Sequence, residues 1–200
     1  MKGEQVVRCP WGGDELLMRY HDVEWGVPVH TDNTHFEFLV LEMFQAGLSW
    51  LTVLRKREAF SKAFAGFDLR LVAEFGPGEV ARLLNDTGII RNRLKIAAAI
   101  NNAARFLEVQ KEFGSFDRYI WGFVGGKPVI NAWKDLSQVP PRTELSDRVS
   151  ADLKKRGFKF AGSTIVYAHL QAMGLVNDHI TGCFRYAETI GKSAGPLSKK

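Results

Sequence analysis

The sequence predicts an all-α fold, and three observations carry that expectation. Apolar residues recur at helical spacing through most of the 200-residue chain, strand-type alternation is nearly absent, and Gly, Asp and Pro fall between the apolar segments. Those are the places where helices start and stop.

Taken in order, the first thirty residues are rich in tryptophan and glycine without a clean period, so short helical turns and loops are expected there. From Thr34, a residue able to cap a helix, the stretch Phe36 to Gln45 is apolar nearly all round and predicts a helix buried on most sides. Ala46-Gly47-Leu48-Ser49 interrupts it, and helix resumes through Trp50, Val53 and Leu54 to end in the basic run Arg55-Lys56-Arg57. Further helices are expected over 60–64, 69–75, 77–85, 92–112, 116–123, 145–156 and 163–173, with Gly174 as the C′ glycine of the last. Lys127 to Asn131 and Phe158 to Phe160 read as extended, with neither making a sheet. Residues 1–190 are expected to form one domain, with 131–143 as the candidate crossover between two helical lobes and 191–200 as a flexible tail.

Composition narrows the class. Hydrophobic residues make up 46% and charged residues 24%, which is ordinary for a soluble globular protein. The most apolar stretch, 36–54, is broken by Glu37, Glu42, Gln45 and Ser49, and so falls short of the ~18 uninterrupted apolar residues of a membrane span. Met1 to Gln5 lack an apolar leader segment, and a cytoplasmic location is the expectation. The net charge of +5 is compatible with a polyanionic partner without demanding one. Basic residues cluster at Arg55-Lys56-Arg57, at Arg91, Arg93 and Lys95, and at Lys154-Lys155-Arg156 with Lys159. Brought together they would grip phosphates; kept apart they are solvated helix ends.

The chain has only two cysteines, and each has a histidine within reach: Cys9 with His21, and His179 with Cys183 at i and i+4. Two such pairs make a tetrahedral Cys₂His₂ set suited to zinc, and four protein ligands leave no position for water, the mark of a structural ion. The spacing is not that of a zinc finger. Two unrelated buried thiols remain an equal reading, and a disulfide is disfavoured in a reducing compartment.

Glu42 lies in the middle of the most apolar stretch, where a carboxylate is costly unless paired, hydrogen-bonded or protonated. A distant ion pair or a narrow wet stripe would explain it. So would a ligand pocket, with Trp50 past the Ala46-Gly47 break and with Tyr20 and Trp11 beside the candidate metal ligands. Aromatic faces around one buried acid suit a flat cationic ligand. The run from Leu83 through Gly88 to Lys95 places a glycine turn between two helices, a form that resembles a phosphate-gripping helical hairpin but also a routine helix end.

Several ordered motifs together are more discriminating than any one. They are Arg8-Cys-Pro-Trp11, Tyr20-His-Asp-x-Glu-Trp-Gly-Val-Pro28, Glu42-x-x-Gln-Ala-Gly-Leu-Ser-Trp50, Gly88-Ile-Ile-Arg-x-Arg-x-Lys95, Lys155-Arg-Gly-Phe-Lys-Phe160 and Asn177-Asp-His-x-x-Gly-Cys183. On these the chain resembles the bacterial family of 3-methyladenine DNA glycosylase I, from about Arg8 to Cys183. The resemblance implies a helix-hairpin-helix glycosylase fold acting on double-stranded alkylated DNA; a monomer suits an enzyme that scans DNA. The reaction implied is hydrolysis of the N-glycosidic bond of a flipped 3-methyladenine, leaving an abasic site. It further implies structural zinc on Cys9, His21, His179 and Cys183, with Glu42 on the base and Tyr20 and Trp50 lining the pocket. Trp11 and Trp25 are implied wall residues, Leu48 stands near the gap left in the duplex, and Gly88, Ile89, Arg91, Arg93 and Lys95 grip the backbone. One departure stands out: Leu17 falls where the family usually has a second pocket tyrosine. Asp117, the first aspartate after the hairpin, is assigned no role. Two rival functions are a non-catalytic DNA-binding module and a zinc hydrolase, the latter needing an open metal position.

Overall fold

The structure, a computed structural model, describes residues 6–11 and 13–192. Of the expected tail, residues 193–200 lie outside the described residues, while Gly191 and Lys192 close the final helix. Among the described residues the helices are α1 Glu15–Val23, α2 Asp32–Gln45, α3 Trp50–Ala63, α4 Leu69–Ala73, α5 Pro77–Asn85, α6 Arg93–Phe113, α7 Phe116–Gly122, α8 Glu144–Lys155, α9 Ser163–Ala172 and α10 Phe184–Lys192.

Most helices begin on a small polar residue whose oxygen accepts from the first turn: Asp14 for α1, Ser49 for α3, Asp68 for α4, Asn92 for α6, Ser115 for α7 and Thr143 for α8. α2 starts earlier than expected, with Thr31 rather than Thr34 at the N-cap position. Its Asp32 carboxylate accepts from the Gln110 side chain and from the backbone N–H groups of Phe116 and Asp117, at 2.7, 2.8 and 2.9 Å. The start of α2 is thereby fastened to the start of α7, a long-range tie invisible in local pattern.

α3 runs unbroken through the basic residues expected to end it. Arg57 donates to Glu37 at 2.7 Å and lies over the Phe38 ring at 4.9 Å, so its charge is paired on the helix flank and nothing in the backbone has to stop. The expected absence of any sheet also needs correction. Val129–Ile130 (β1) pairs in parallel with Val176–Asn177 (β2), Val129 opposite Val176. Phe158 to Phe160 is a loop instead, held by Asn102, which accepts from the Lys159 N–H and donates to the Lys159 carbonyl.

α2 is the central element, packed against α3, α6, α7 and α9. Phe36 and Phe44 on it meet Phe60 and Phe64 of the α3 end, Phe106 of α6 and Phe116 of α7, all fully buried. Each such ring contributes roughly 1.5–3 kcal/mol of burial free energy. α9 ends as the sequence indicates. Gly174 adopts φ 72°, and the N–H groups of Gly174 and Leu175 reach back to the carbonyls of Gln171 and Leu170. A Cβ at Gly174 would fall 2.4 Å from the Pro28 nitrogen, so glycine also lets the N-terminal segment lie against this helix end. No helix among the described residues is long and apolar enough to cross a membrane.

Candidate functional site

An early and a late segment of the chain meet. The Phe184 N–H donates to the Val7 carbonyl at 3.0 Å, and the ligand atoms of Cys9, His21 and Cys183 lie within 4.8 Å of one another, all three residues buried. Both cysteines are free thiols rather than a disulfide. Cys183 accepts a hydrogen bond from Cys9, which holds the Cys183 thiol low and raises that of Cys9.

His179 stands beside these three. Its ring lies 5.2 Å from that of His21, centroid to centroid, and its Nε2 is buried with no partner. Its Nδ1 is 3.0 Å from the Asn177 Oδ1, an acceptor that keeps the proton on Nδ1 and leaves a lone pair on Nε2. Burial pushes His179 down to about 3, so the ring is neutral. His21 is oriented in the same manner: its Nδ1 is 2.8 Å from Asp22, whose carboxylate is gripped by Arg8 at 2.8 and 2.9 Å. Two cysteine sulfurs and two imidazoles turned by outer hydrogen bonds have the chemistry that zinc favours. Gly26, at φ 75°, presses on the His179 ring so closely that a Cβ would come within 2.6 Å of it.

Beside this cluster lies a cavity of about 160 Å³ lined by Trp11, Tyr20, Trp25, Glu42, Gln45, Trp50, Ala168 and Gln171. That is below the ~300 Å³ at which drug-sized sites begin, and it suits one flat ring system. α1 contributes Tyr20, α2 contributes Glu42 and Gln45, α3 contributes Trp50, and α9 contributes Ala168 and Gln171. The tryptophans of the N-terminal segment are propped on the candidate metal ligands: Trp11 is 5.3 Å from His21 and Trp25 is 4.5 Å from His179, edge to face. Tyr20 and Trp50 are 5.4 Å apart, and Phe38 backs both.

Glu42 is buried, and among the described residues it makes no hydrogen bond or ion pair. Burial alone pushes its carboxyl up to about 8. The Tyr20 phenol is driven well up by burial and then by Glu42, so it stays a neutral donor. The cavity therefore holds an acid without a counter-charge, which a cationic ligand would supply. Larger clefts exist, such as one of about 330 Å³ lined by Phe113, Tyr119 and Arg156, but there Arg156 is already paired with Glu112 and Asp152.

The remaining sequence candidates divide. Leu48 stands out on the turn between α2 and α3 at 44% exposure, between the lining residues Gln45 and Trp50, with Gly47 at φ 86° making the turn. The turn joining α5 to α6 exposes Arg91 and Arg93, but Ile89 is buried. Lys95 points inward: it is 7% exposed and donates to the carbonyls of Phe44 and Ala46 at 3.1 and 2.8 Å. Lys56 likewise donates to the Thr87 and Gly88 carbonyls. Leu17 packs on the core and does not line the cavity, nor does Asp117, which pairs with His30. Sequence reasoning missed Ala168 and Gln171 as lining residues, and Asp22, Asn177 and Arg8 as supports. Only adjacency to His21 and His179 in the motifs could have flagged the supports.

A family model described as methyladenine glycosylase matches residues 11–186. DNA-3-methyladenine glycosylase 1 of Escherichia coli (strain K12) is 47% identical over 180 residues, covering 90% of this chain and 96% of that protein. A crystal structure of 3-methyladenine DNA glycosylase I superposes with a TM-score of 0.86 at 49% identity, covering 89% of this chain and 98% of that one. A tyrosine-to-phenylalanine variant of 3-methyladenine DNA glycosylase I, in complex with 3-methyladenine, gives a TM-score of 0.85 at 35% identity and covers 86% and 93%.

Proposed function

The chain belongs to the methyladenine glycosylase family, and from that premise we propose that it excises 3-methyladenine from alkylated double-stranded DNA through the cavity floored by Glu42. One observation carries the assignment of the site: a buried acid with no partner lies among aromatic faces in a cavity the size of a single base.

The chemistry follows from charge. Methylation at N3 makes the base cationic and a good leaving group. The C1′–N9 bond breaks with its electron pair passing to the purine, which neutralises it; water adds to C1′ and its proton leaves to solvent. The enzyme has to extrude the nucleotide, exclude ordinary bases and stabilise the cationic transition state. A cationic purine in the cavity ionises Glu42 and gains its attraction, whereas neutral adenine leaves the acid protonated and gains less. The walls of Tyr20 and Trp50 add cation–π attraction of roughly 0.5–2 kcal/mol each. Leu48, on the exposed turn at the cavity mouth, fills the gap in the duplex, while Arg91, Arg93 and the α5–α6 turn with Gly88 and Ile89 hold the backbone.

Cys9, His21, His179 and Cys183 would hold zinc, whose contribution when bound is a structural cross-link, since four protein ligands leave it no water. This chain's own residues do the rest: the imidazoles carry Trp11 and Trp25, and so position the N-terminal wall of the cavity. We read residues 1–190 as one glycosylase unit, acting as a cytoplasmic monomer.

Base release from methylated duplex DNA tests the proposal, with the freed bases separated chromatographically. Release of 3-methyladenine, with 7-methylguanine left in place, is expected. Glu42→Gln is expected to lower that release at least tenfold while leaving the fold intact. Absence of release by folded, metal-loaded wild-type protein would overturn the function, and full activity in Glu42→Gln would remove Glu42 from it.

A further inference from the structure

Asp178 is a buried hub between β2 and the candidate ligand His179. Its Oδ1 accepts from the Asn131 amide and the Trp133 indole N–H, both at 2.7 Å. Its Oδ2 accepts from the Tyr167 hydroxyl and, at 2.7 Å, from the Gln171 amide nitrogen. A carboxylate accepts at both oxygens, so the Gln171 amide turns its nitrogen toward Asp178. Its Oε1 is then the free end, with no partner among the described residues, on a side chain that lines the base-sized cavity from α9, while Glu42 lines it from α2.

We propose that Gln171 is a specificity-determining residue whose carbonyl oxygen, fixed in orientation by Asp178, accepts from the exocyclic amine of a 6-aminopurine and rejects a 6-oxopurine. This rests on the proposed glycosylase function and deepens it, dividing recognition between two groups. Glu42 answers to the charge of the ring, because its own charge depends on the ligand. Gln171 answers to the group at C6, because an amide does not change its acceptor with pH or ligand charge. A 6-oxo group would set two carbonyl oxygens against each other, with the amide unable to turn over without losing Asp178. The hub is built for such rigidity: three further donors hold Asp178 still whether or not a base is bound.

Binding of the free bases 3-methyladenine and 3-methylhypoxanthine, which differ in the group at C6 and in the ring N–H that the 6-oxo form carries, tests this through quenching of the cavity tryptophans. Wild-type protein is expected to favour 3-methyladenine by about tenfold or more. Gln171→Met keeps the length of the side chain and leaves Asp178 three donors; it is expected to bring the two affinities within about threefold. Tyr167→Phe leaves the cavity lining intact and loosens only the hub, and should reduce the preference part of the way. An unchanged preference in a folded Gln171→Met protein overturns the proposal, as does a wild-type protein that binds both bases equally. Should Gln171→Met not fold, an unchanged preference in Tyr167→Phe overturns it. Base release by the same wild-type preparation reports separately on the underlying function, so that failure of one is not mistaken for failure of the other.

Discussion

At the scale of the residue, Glu42 trades stability for use. Burial raises its folded-state pKa to about 8, above the usual carboxylate value near 4.5. Between those two values the folded protein binds the proton more tightly than the unfolded chain, so stability falls as pH rises from about 4.5 to about 8 and levels off above. At about 1.4 kcal/mol per unit, the full loss is on the order of 5 kcal/mol. Glu42→Gln has no such proton to lose. Its melting temperature is expected to exceed that of wild type by a margin that grows between pH 5 and pH 8; parallel curves for the two proteins would contradict the placement of the acid in a dry site. The sequence made this residue visible, because a lone carboxylate in Phe38-Leu-Val-Leu-Glu-Met-Phe breaks a local pattern. Gln171 broke none. A glutamine on an α9 turn looks like any half-exposed polar residue, and its importance comes from Asp178, which reaches it from the other side of a loop.

At the scale of the element, two lysines that the sequence presents as surface cations are structural pins. Lys95 ends on the carbonyls of Phe44 and Ala46, neutralising the negative end of α2, and Lys56 of α3 ends on the carbonyls of the α5–α6 turn. The exposed Leu48 turn and the α5–α6 turn are therefore tied into one face. Opposite behaviours are expected within one short stretch. Arg91→Ala and Arg93→Ala should leave the melting temperature nearly unchanged, weaken duplex binding and lower the slope of log affinity against log salt by about one each. Lys95→Met should instead destabilise the protein by about 1–3 kcal/mol, because it strands two carbonyl groups, with a salt slope close to wild type. A reduced slope in Lys95→Met would place its ammonium on phosphate after all. Helix positions were legible from breaks and glycines, as at Ala46-Gly47 and Gly174, whereas the cap read at Thr34 fell three residues late. The uninterrupted α3 and the β1–β2 pair were not, since each depends on partners far along the chain: Glu37 for Arg57, and Val176 for Val129.

At the scale of the whole molecule, the candidate zinc ligands join residues from the first and last parts of the chain, and the cavity wall leans on them. Cys183→Ser, or stripping with a strong chelator, is expected to remove bound metal and lower the melting temperature by on the order of 10 °C or more. It should also weaken 3-methyladenine binding, because Trp11 and Trp25 lose the imidazoles that prop them. Metal-free protein with an unchanged melting curve would rule out the cross-link. The Cys/His pairs could be read in the sequence as pairs, but their convergence could not: His21 and His179 meet only because β2, Gly26 and the Gly174 helix end bring the segments together.

That meeting of an early and a late segment also sets an order of events during synthesis. α2 through α9 form their phenylalanine core from residues that leave the ribosome in sequence, and most of the core is available before His179 and Cys183 exist. Trp25 is made early, yet the ring it rests on, His179, follows more than 150 residues later in the sequence. A nascent chain can therefore gather its core while this wall of the cavity still lacks its support.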